Sequence, residues 1–308
     1  MQPVVTSPLV QRSRHIEPVL PRAEEVIGAI RAASGPLPQI ELSYEPEIRT
    51  LWLTLKPEPK PVFTLPIITS VHKVQRSIVK LWLDSPESPI LFFAYRATGQ
   101  LFSLGGDLDY YLDCLASNDR AGLAEYANRA VDVILLNSSG LSGMAVTLAT
   151  IHAKALGGGI DPARACNVMI GEEQATFSYP EINYNHFPIS AVPILSRHTG
   201  PIEAERILLS GAEYSAKEFF ERRALDDLVP TGTGEEWIRN YARRCLPTQR
   251  ARVALFAAFS RRAGRLDADL AEAATAWVNH IMTLRPMEIS KLQRIVQAQE
   301  RMLSRMTR

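Results

Sequence analysis

The sequence predicts an α/β fold with a helical C-terminal extension. Three observations carry this. Short apolar strands alternate with segments of helical period through the first two thirds of the chain. The last third reads as helices alone. Two glycine turns, "SLGGDL" and "ALGGGID", each sit between a strand and a helix.

The elements follow in order. Residues 1–44 are rich in Pro, Arg and Glu and read as an N-terminal arm, laid on the domain or partly mobile. Within the arm "EEVIGAIRAA" suits a short helix that Gly35, Pro36 and Pro38 end. In "EIRTLWLTLKP", Trp52 and Thr54 alternate with Leu51, Leu53 and Leu55, the period of a strand. The period then switches. Ile67, Val71, Val74, Ile78 and Leu81 recur at helical spacing, with Thr64 as N-cap and Pro66 in the first turn. "PILFFAYRA" is a short buried strand, and Gly99 starts the turn into "LFSLGGDLDYYL". Arg120 to Leu136 is helical, and "MAVTLATIHAKAL" is a strand that leads to the second glycine turn. "DPARACNVMIG" reads as a short helix followed by a strand, and "ATFSYPEI" as a strand running across Pro180 and Glu181. Ser215 and Glu218 form a capping box. Leu270 to Leu284 and Ile289 to Met302 are amphipathic helices.

Composition removes several classes of function. The chain has 308 residues, 46% apolar and 22% charged, with a formal net charge of +1. That balance argues against a nucleic-acid binder. No apolar run reaches the ~20 residues needed to span a bilayer, so membrane insertion is not expected. Cys114, Cys166 and Cys245 are widely spaced and suit neither a metal site nor a disulfide framework, as in a reducing cytoplasm. The first residues lack the apolar stretch of a signal peptide. No metal or redox cofactor is expected.

The glycines pose the functional question. "ALGGGID" lacks the lysine of a phosphate loop and the spacing of a dinucleotide fingerprint. Its bare backbone N–H groups precede a short helix with Pro162 near its start. Two such turns are suited to clamp one carbonyl oxygen and stabilise negative charge there.

Three motifs in order then resemble the crotonase (enoyl-CoA hydratase/isomerase) superfamily: "FSLGGDL", "ALGGGID" and "FSYPE", whose Glu181 stands 20 residues after Asp161. The likeness runs from about residue 45 to the C-terminus. Within the superfamily the chain is most similar to diffusible-signal-factor synthases, which make cis-2-unsaturated fatty-acid signals. That likeness lies in "LGGDLDYYL", "NDRAGLAEYANRAVD", "IGEEQATFSYPEINYNHFP", "LLSGAEYSA" and "AWVNHIMTLRPMEISKLQRIVQAQ". The segment "YEPEIRTLWLTLKPEPKPVFT" also resembles the one those synthases carry before the core.

The resemblance implies a crotonase-like spiral of ββα units: a core over 45–235 holding the acyl-thioester site, and a helical region over 236–308 for oligomerisation and pocket cover. It implies an oxyanion hole from the N–H groups of Gly106 and Gly158, and catalytic acids at Asp161 and Glu181. One acid would move the Cα proton and the other would handle hydroxyl or water at Cβ. The same pair would activate water to cleave the thioester. Gly105, Gly157, Ile189, Tyr111 and Leu112 would contact substrate. The carrier would be acyl-carrier protein or CoA, with no separate cofactor, in a cytoplasmic trimer or hexamer. Another acyl-CoA hydratase, isomerase or hydrolase activity, or a weakly catalytic binding or regulatory protein, are the alternatives.

Two departures stand out. Asp161 replaces the usual Glu, a side chain shorter by one C–C bond, ~1.5 Å. Ile189 and Ser190 replace a glycine-rich turn. Because both fall on motifs of one site, the sequence points to a pocket rebuilt around Asp161. Simpler readings stand beside these. An Asp before Pro162 also suits a helix cap. Asp107 braces its turn, His152 and Lys154 are structural, and His186 either reaches the pocket or, the preferred reading, faces solvent or caps. Tyr110, Tyr111 and Leu112 line an acyl tunnel or belong to the core. The stripe of Trp277, Ile281 and Leu284 is packing or a subunit interface.

Overall fold

A computed structural model of the protein describes residues 21–85, 88–262 and 266–306. Residues 1–20 of the expected arm lie outside the described residues. The rest of the arm is built into the fold. Helix α1 (Ala23–Ser34) buries Val26 and Ile30 and ends at Gly35. Strand β1 (Ile40–Glu45) pairs antiparallel with β2 (Thr50–Leu55), so the sheet begins ahead of the expected boundary at residue 45. The cause is local alternation: Leu42 and Tyr44 are buried while Glu41 is exposed.

Helix α2 (Leu65–Trp82) starts as predicted, with Thr64 Oγ accepting from the Ile67 N–H at 3.3 Å. After β3 (Phe92–Ala97) the first glycine turn leads into α3 (Leu108–Ala116), and α4 (Arg120–Ser138) follows. The turn α5 (Gly140–Gly143), with positive φ throughout, opens the way to β4 (Val146–Ile151). The expected long strand stops there. Its continuation is a separate strand, β5 (Ala155–Leu156), in a second sheet. Gly157–Gly159 make a 3₁₀ turn, then come α6 (Asp161–Arg164), β6 (Val168–Glu172) and β7 (Thr176–Ser178). The strand expected to cross Glu181 ends at Ser178. Pro180–Tyr184 form a 3₁₀ turn instead, because Pro cannot donate to a strand ladder. The remainder is α7 (Ala191–Thr199), α8 (Pro201–Ser210), β8 (Glu213–Ser215), α9 (Ala216–Glu221), β9 (Asp227–Val229), α10 (Gly234–Cys245), α11 (Gln249–Arg262), α12 (Leu266–Ile281) and α13 (Pro286–Met306). The predicted capping box opens α9.

The main sheet has the order β1-β2-β3-β4-β6-β9, parallel from β2 onward. The small sheet is β5-β7-β8. The isolated bridge Ser103↔Ala155 joins the first glycine turn to β5 of this small sheet, and Phe63↔Gly106 joins that turn to the segment before α2. The chain therefore repeats one course: a main-sheet strand, a short extended piece beside the small sheet, then a helix. This is the ββα spiral that the resemblance implies.

Both faces of the main sheet are covered, which explains its near-continuous apolar strands. Leu51, Leu53 and Phe93 face the core made with α2 and α4. Trp52, Phe92 and Leu148 face the opposite layer, with Ile238 and Ala242 of α10. All three cysteines are free and buried. Among the described residues no helix is long and apolar enough to cross a membrane.

Candidate active site

The two glycine turns lie against each other. Leu156 N–H donates to Ser103 O at 2.9 Å, and Gly105 N–H to Ser103 Oγ at 3.1 Å. A Cβ on Gly159 would lie 2.3 Å from Ser103 Oγ and 3.2 Å from Gly105 Cα, so only glycine allows this approach. Asp107 braces the first turn as expected, accepting from the Tyr110 N–H at 3.2 Å.

Between the turns opens a cavity of about 500 Å³. Gly105, Gly106, Gly157, Gly158, Asp161, Glu181, Ile189 and Tyr111 all line it. Leu112 does not. It is packed with the core, because one residue along a helix turns the side chain by about 100° away from the face of Tyr111. The cavity's apolar wall comes from α2 and α4, through Ile68, Val71, Val133 and Ile134. At its rim α13 contributes Lys291, Arg294 and Gln299.

Asp161 is 1% exposed. Its side chain makes no cap bond, contrary to the helix-cap reading. Tyr179 Oη donates to Oδ1 at 2.9 Å and Ser190 Oγ to Oδ2 at 2.7 Å. Burial pushes its carboxyl up to about 6, and the hydrogen bonds from the two hydroxyls and from the Ser190 backbone N–H oppose that rise.

Glu181 is half-buried as a residue, but its carboxyl is enclosed. Oε1 accepts from the Gly158 N–H at 2.9 Å. Oε2 is buried with no partner among the described residues. Burial pushes Glu181 up to about 8, and the charge of Asp161 adds to it. The Gly158 N–H, one donor of the expected oxyanion hole, is thus held by a carboxyl that a substrate carbonyl would displace.

The preferred reading of His186 is overturned here, while the packing expected of the Trp277 stripe holds. His186 is 6% exposed and lines the cavity, rather than facing solvent. Burial pushes it down to about 3, so it is neutral, and Nδ1 has no partner among the described residues. Trp277 also lines the cavity, its ring 5.0 Å from that of Tyr111. Ile281 and Leu284 are buried within the chain. Lys154 lines the rim and pairs with Glu213, while His152 meets Gly99 O at 2.9 Å.

Residues 97–280 match the family model described as enoyl-CoA hydratase/isomerase. The chain belongs to this family. It is 32% identical over 140 residues to a protein named "Probable enoyl-CoA hydratase" from Bacillus subtilis (strain 168), covering 45% of this chain and 50% of that one. It is 29% identical over 148 residues to the mevalonyl-coenzyme A hydratase of Aspergillus fumigatus, covering 46% and 50%. The chain thus spans about half the length of the curated relatives it matches. Among solved structures, an enoyl-CoA hydratase from Bacillus halodurans superposes with a TM-score of 0.70 at 20% identity, over 82% of this chain and 98% of that one. Pseudomonas aeruginosa DspI gives 0.62 at 19%, over 71% and 84%. At these identities the likeness is one of fold.

Within this enoyl-CoA hydratase/isomerase family member, sequence reasoning misses several residues of the site. Tyr179, which holds Asp161 from behind the cavity, reads only as part of a motif. Its place two residues before Glu181 sets it against Asp161, which no periodicity reveals. The wall from α2 and α4 was read only as helical core. Lys291 and Arg294 sit on an amphipathic helix whose partner surface is fixed by tertiary packing alone.

Proposed function

We propose that the protein dehydrates 3-hydroxyacyl thioesters and cleaves the thioester, releasing a cis-2-unsaturated fatty acid in the manner of a diffusible-signal-factor synthase. One observation carries this reading: two enclosed carboxyls, Asp161 and Glu181, border the same apolar cavity as the two glycine turns.

The electrostatics divide the roles. Asp161 accepts two hydrogen bonds and titrates near 6, so at neutral pH it is the base. Glu181 titrates near 8 and is the acid. The substrate carbonyl takes the N–H groups of Gly106 and Gly158, displacing Glu181 Oε1. Asp161 receives the Cα proton. Glu181 gives its proton to the departing β-hydroxyl, which leaves as water. Glu181, now ionised, takes a proton from a water molecule that attacks the carbonyl carbon. The C–S bond breaks, and the carrier thiol is released with the proton held by Asp161. Each lost oxyanion donor would cost about 10²–10³ in rate.

The carrier is acyl-carrier protein or CoA, and the cations Lys291 and Arg294 at the rim suit the phosphate that either one bears. Exposed Ile202 and Leu209 on α8, with Leu255 and Phe259 on α11, support assembly into a trimer or hexamer.

A second reading, hydration of enoyl-CoA without thioester cleavage, is supported by the hydratase names of the relatives above. Incubation with 3-hydroxyacyl thioesters of several lengths, on CoA and on carrier protein, separates the two by mass spectrometry. Free 2-unsaturated acid supports the first. Enoyl thioester alone supports the second. No product from any substrate would defeat both.

A further inference from the structure

Asp161 is fixed by two hydroxyls that are placed differently. Tyr179, 1% exposed, is not among the residues lining the cavity, so its bond to Oδ1 comes from behind. Ser190, 2% exposed, does line the cavity, and its bond to Oδ2 comes from the substrate side. A hydroxyl donates one hydrogen bond and accepts others at the same time. Ser190 Oγ donates to Asp161, which leaves its lone pairs for a group in the cavity. It stands in the segment where Ile189 and Ser190 replace the expected glycines, and beside an acid shorter than expected.

We propose that Ser190 is a proton relay that restores the reach Asp161 lacks. This rests on the functional reading above. The Cα–H bond of the acyl thioester breaks and its proton bonds to Ser190 Oγ. The hydroxyl proton of Ser190 passes to Asp161 Oδ2 in the same step. The Cα electron pair enters the new Cα=Cβ bond as the Cβ–O bond breaks, and the hydroxyl leaves as water with the proton of Glu181. Ser190 ends unchanged, Asp161 neutral and Glu181 ionised. The 2.7 Å from Ser190 Oγ to Oδ2 more than spans the missing C–C bond of ~1.5 Å. The two departures of the sequence are then one compensated change.

The test uses the full chain and two readouts: turnover of 3-hydroxyacyl-CoA, and exchange of Cα hydrogen for deuterium in a saturated acyl-CoA, which has no hydroxyl to lose. Ser190→Ala is expected to slow both by about 10²-fold or more, with KM changed only a few-fold and the melting temperature near that of the parent. Ser190→Thr, which keeps a hydroxyl, is expected to retain most of both. The double variant Asp161→Glu/Ser190→Gly is expected to recover activity that Ser190→Ala loses. A rate measured in H₂O–D₂O mixtures is expected to curve in the parent, with two protons in flight, and to be linear in the double variant. Unimpaired exchange and turnover in Ser190→Ala, or a linear dependence in the parent, would sink the relay while leaving the functional reading intact. A parent that neither exchanges nor turns over any acyl thioester would overturn the functional reading, and the relay with it.

Discussion

At Gly157 the backbone has φ of +52°, and a Cβ would lie 1.9 Å from Glu181 Oε1. An alanine there must push the carboxyl away from the Gly158 N–H and carry left-handed strain of about 1–2 kcal/mol. Gly157→Ala is therefore expected to cut turnover about 10²-fold, since a displacement near 1 Å at reacting groups costs on that order. Steady-state rates with Glu181→Gln as reference check this. The two raised carboxyls also set the pH dependence. In the proposed mechanism turnover needs Asp161 ionised and Glu181 protonated, so it should rise near pH 6 and fall near pH 8. Stability runs one way only. Both groups bind protons more tightly folded than unfolded, so the stabilisation is complete only below the ordinary carboxyl values of 3.8 and 4.5, and is lost as pH rises through about 6 and about 8. Thermal melts from pH 5 to 8 should show a falling melting temperature, with a shallower slope in Glu181→Gln. An unchanged slope in that variant would mean that burial does not hold the carboxyl up. Asp161→Glu adds a methylene between Tyr179 and Ser190 and is expected to cost about 1–3 kcal/mol with lower turnover, whereas higher turnover would show a pocket with room to spare.

Among the elements, α6 is too short to hold itself in place, at four residues. Arg164, fully buried, fastens it to the strand region beyond. Nη1 donates to Ala224 O at 2.9 Å and Nη2 to Asp226 Oδ2 at 2.5 Å, while Asp226 also accepts from the Met169 N–H at 2.7 Å. On the other side Asn137 Nδ2 donates to Pro162 O at 2.7 Å. The position of Asp161 thus depends on β6, β9 and α4 together. Arg164→Met is expected to destabilise the protein by about 1–3 kcal/mol by removing the donor to Ala224 O and Asp226 Oδ2. Chemical denaturation measures this, and replacing Asp226 by Asn in the same chain should recover part of the loss. A melt unchanged in Arg164→Met would show that α6 is held by backbone packing alone.

For the whole molecule, the C-terminal helix α13 is tied to both halves of the site. Near its start Glu288 accepts from Asn185 Nδ2 at 2.8 Å, on the segment that carries Glu181. Further along, Lys60 joins Glu300 at 3.0 Å to Asp109 at 2.7 Å, on the helix after Gly106. Between these ties Ile295 and Ala298, and just beyond them Met302, close the cavity. Lys60→Ala removes pairs worth about 0.2–1 kcal/mol each at such sites. Its expected effect is local: faster amide hydrogen exchange in α13 with little change in global melting. Exchange in α13 equal to that of the parent would show that apolar packing alone holds the helix. The proposed assembly predicts a trimer or hexamer by light scattering at micromolar concentration, and a strict monomer would contradict it.

Elements whose causes are local are legible in the linear chain. Thr64 caps α2, Ser215 and Glu218 box α9, and alternating Leu51, Leu53 and Leu55 make a strand, because neighbouring backbone sets each of these. The two glycine turns and both acids are legible too, through spacings that survive in the linear chain. What Asp161 touches is set by folding over long separations. Its partners stand 18 residues away at Tyr179 and 29 away at Ser190, and they meet only when the spiral closes. The same holds for His186 and Trp277, read as surface or packing and found at the cavity. A helical period gives the apolar face of α12 but not what faces it, since that depends on how separate segments pack.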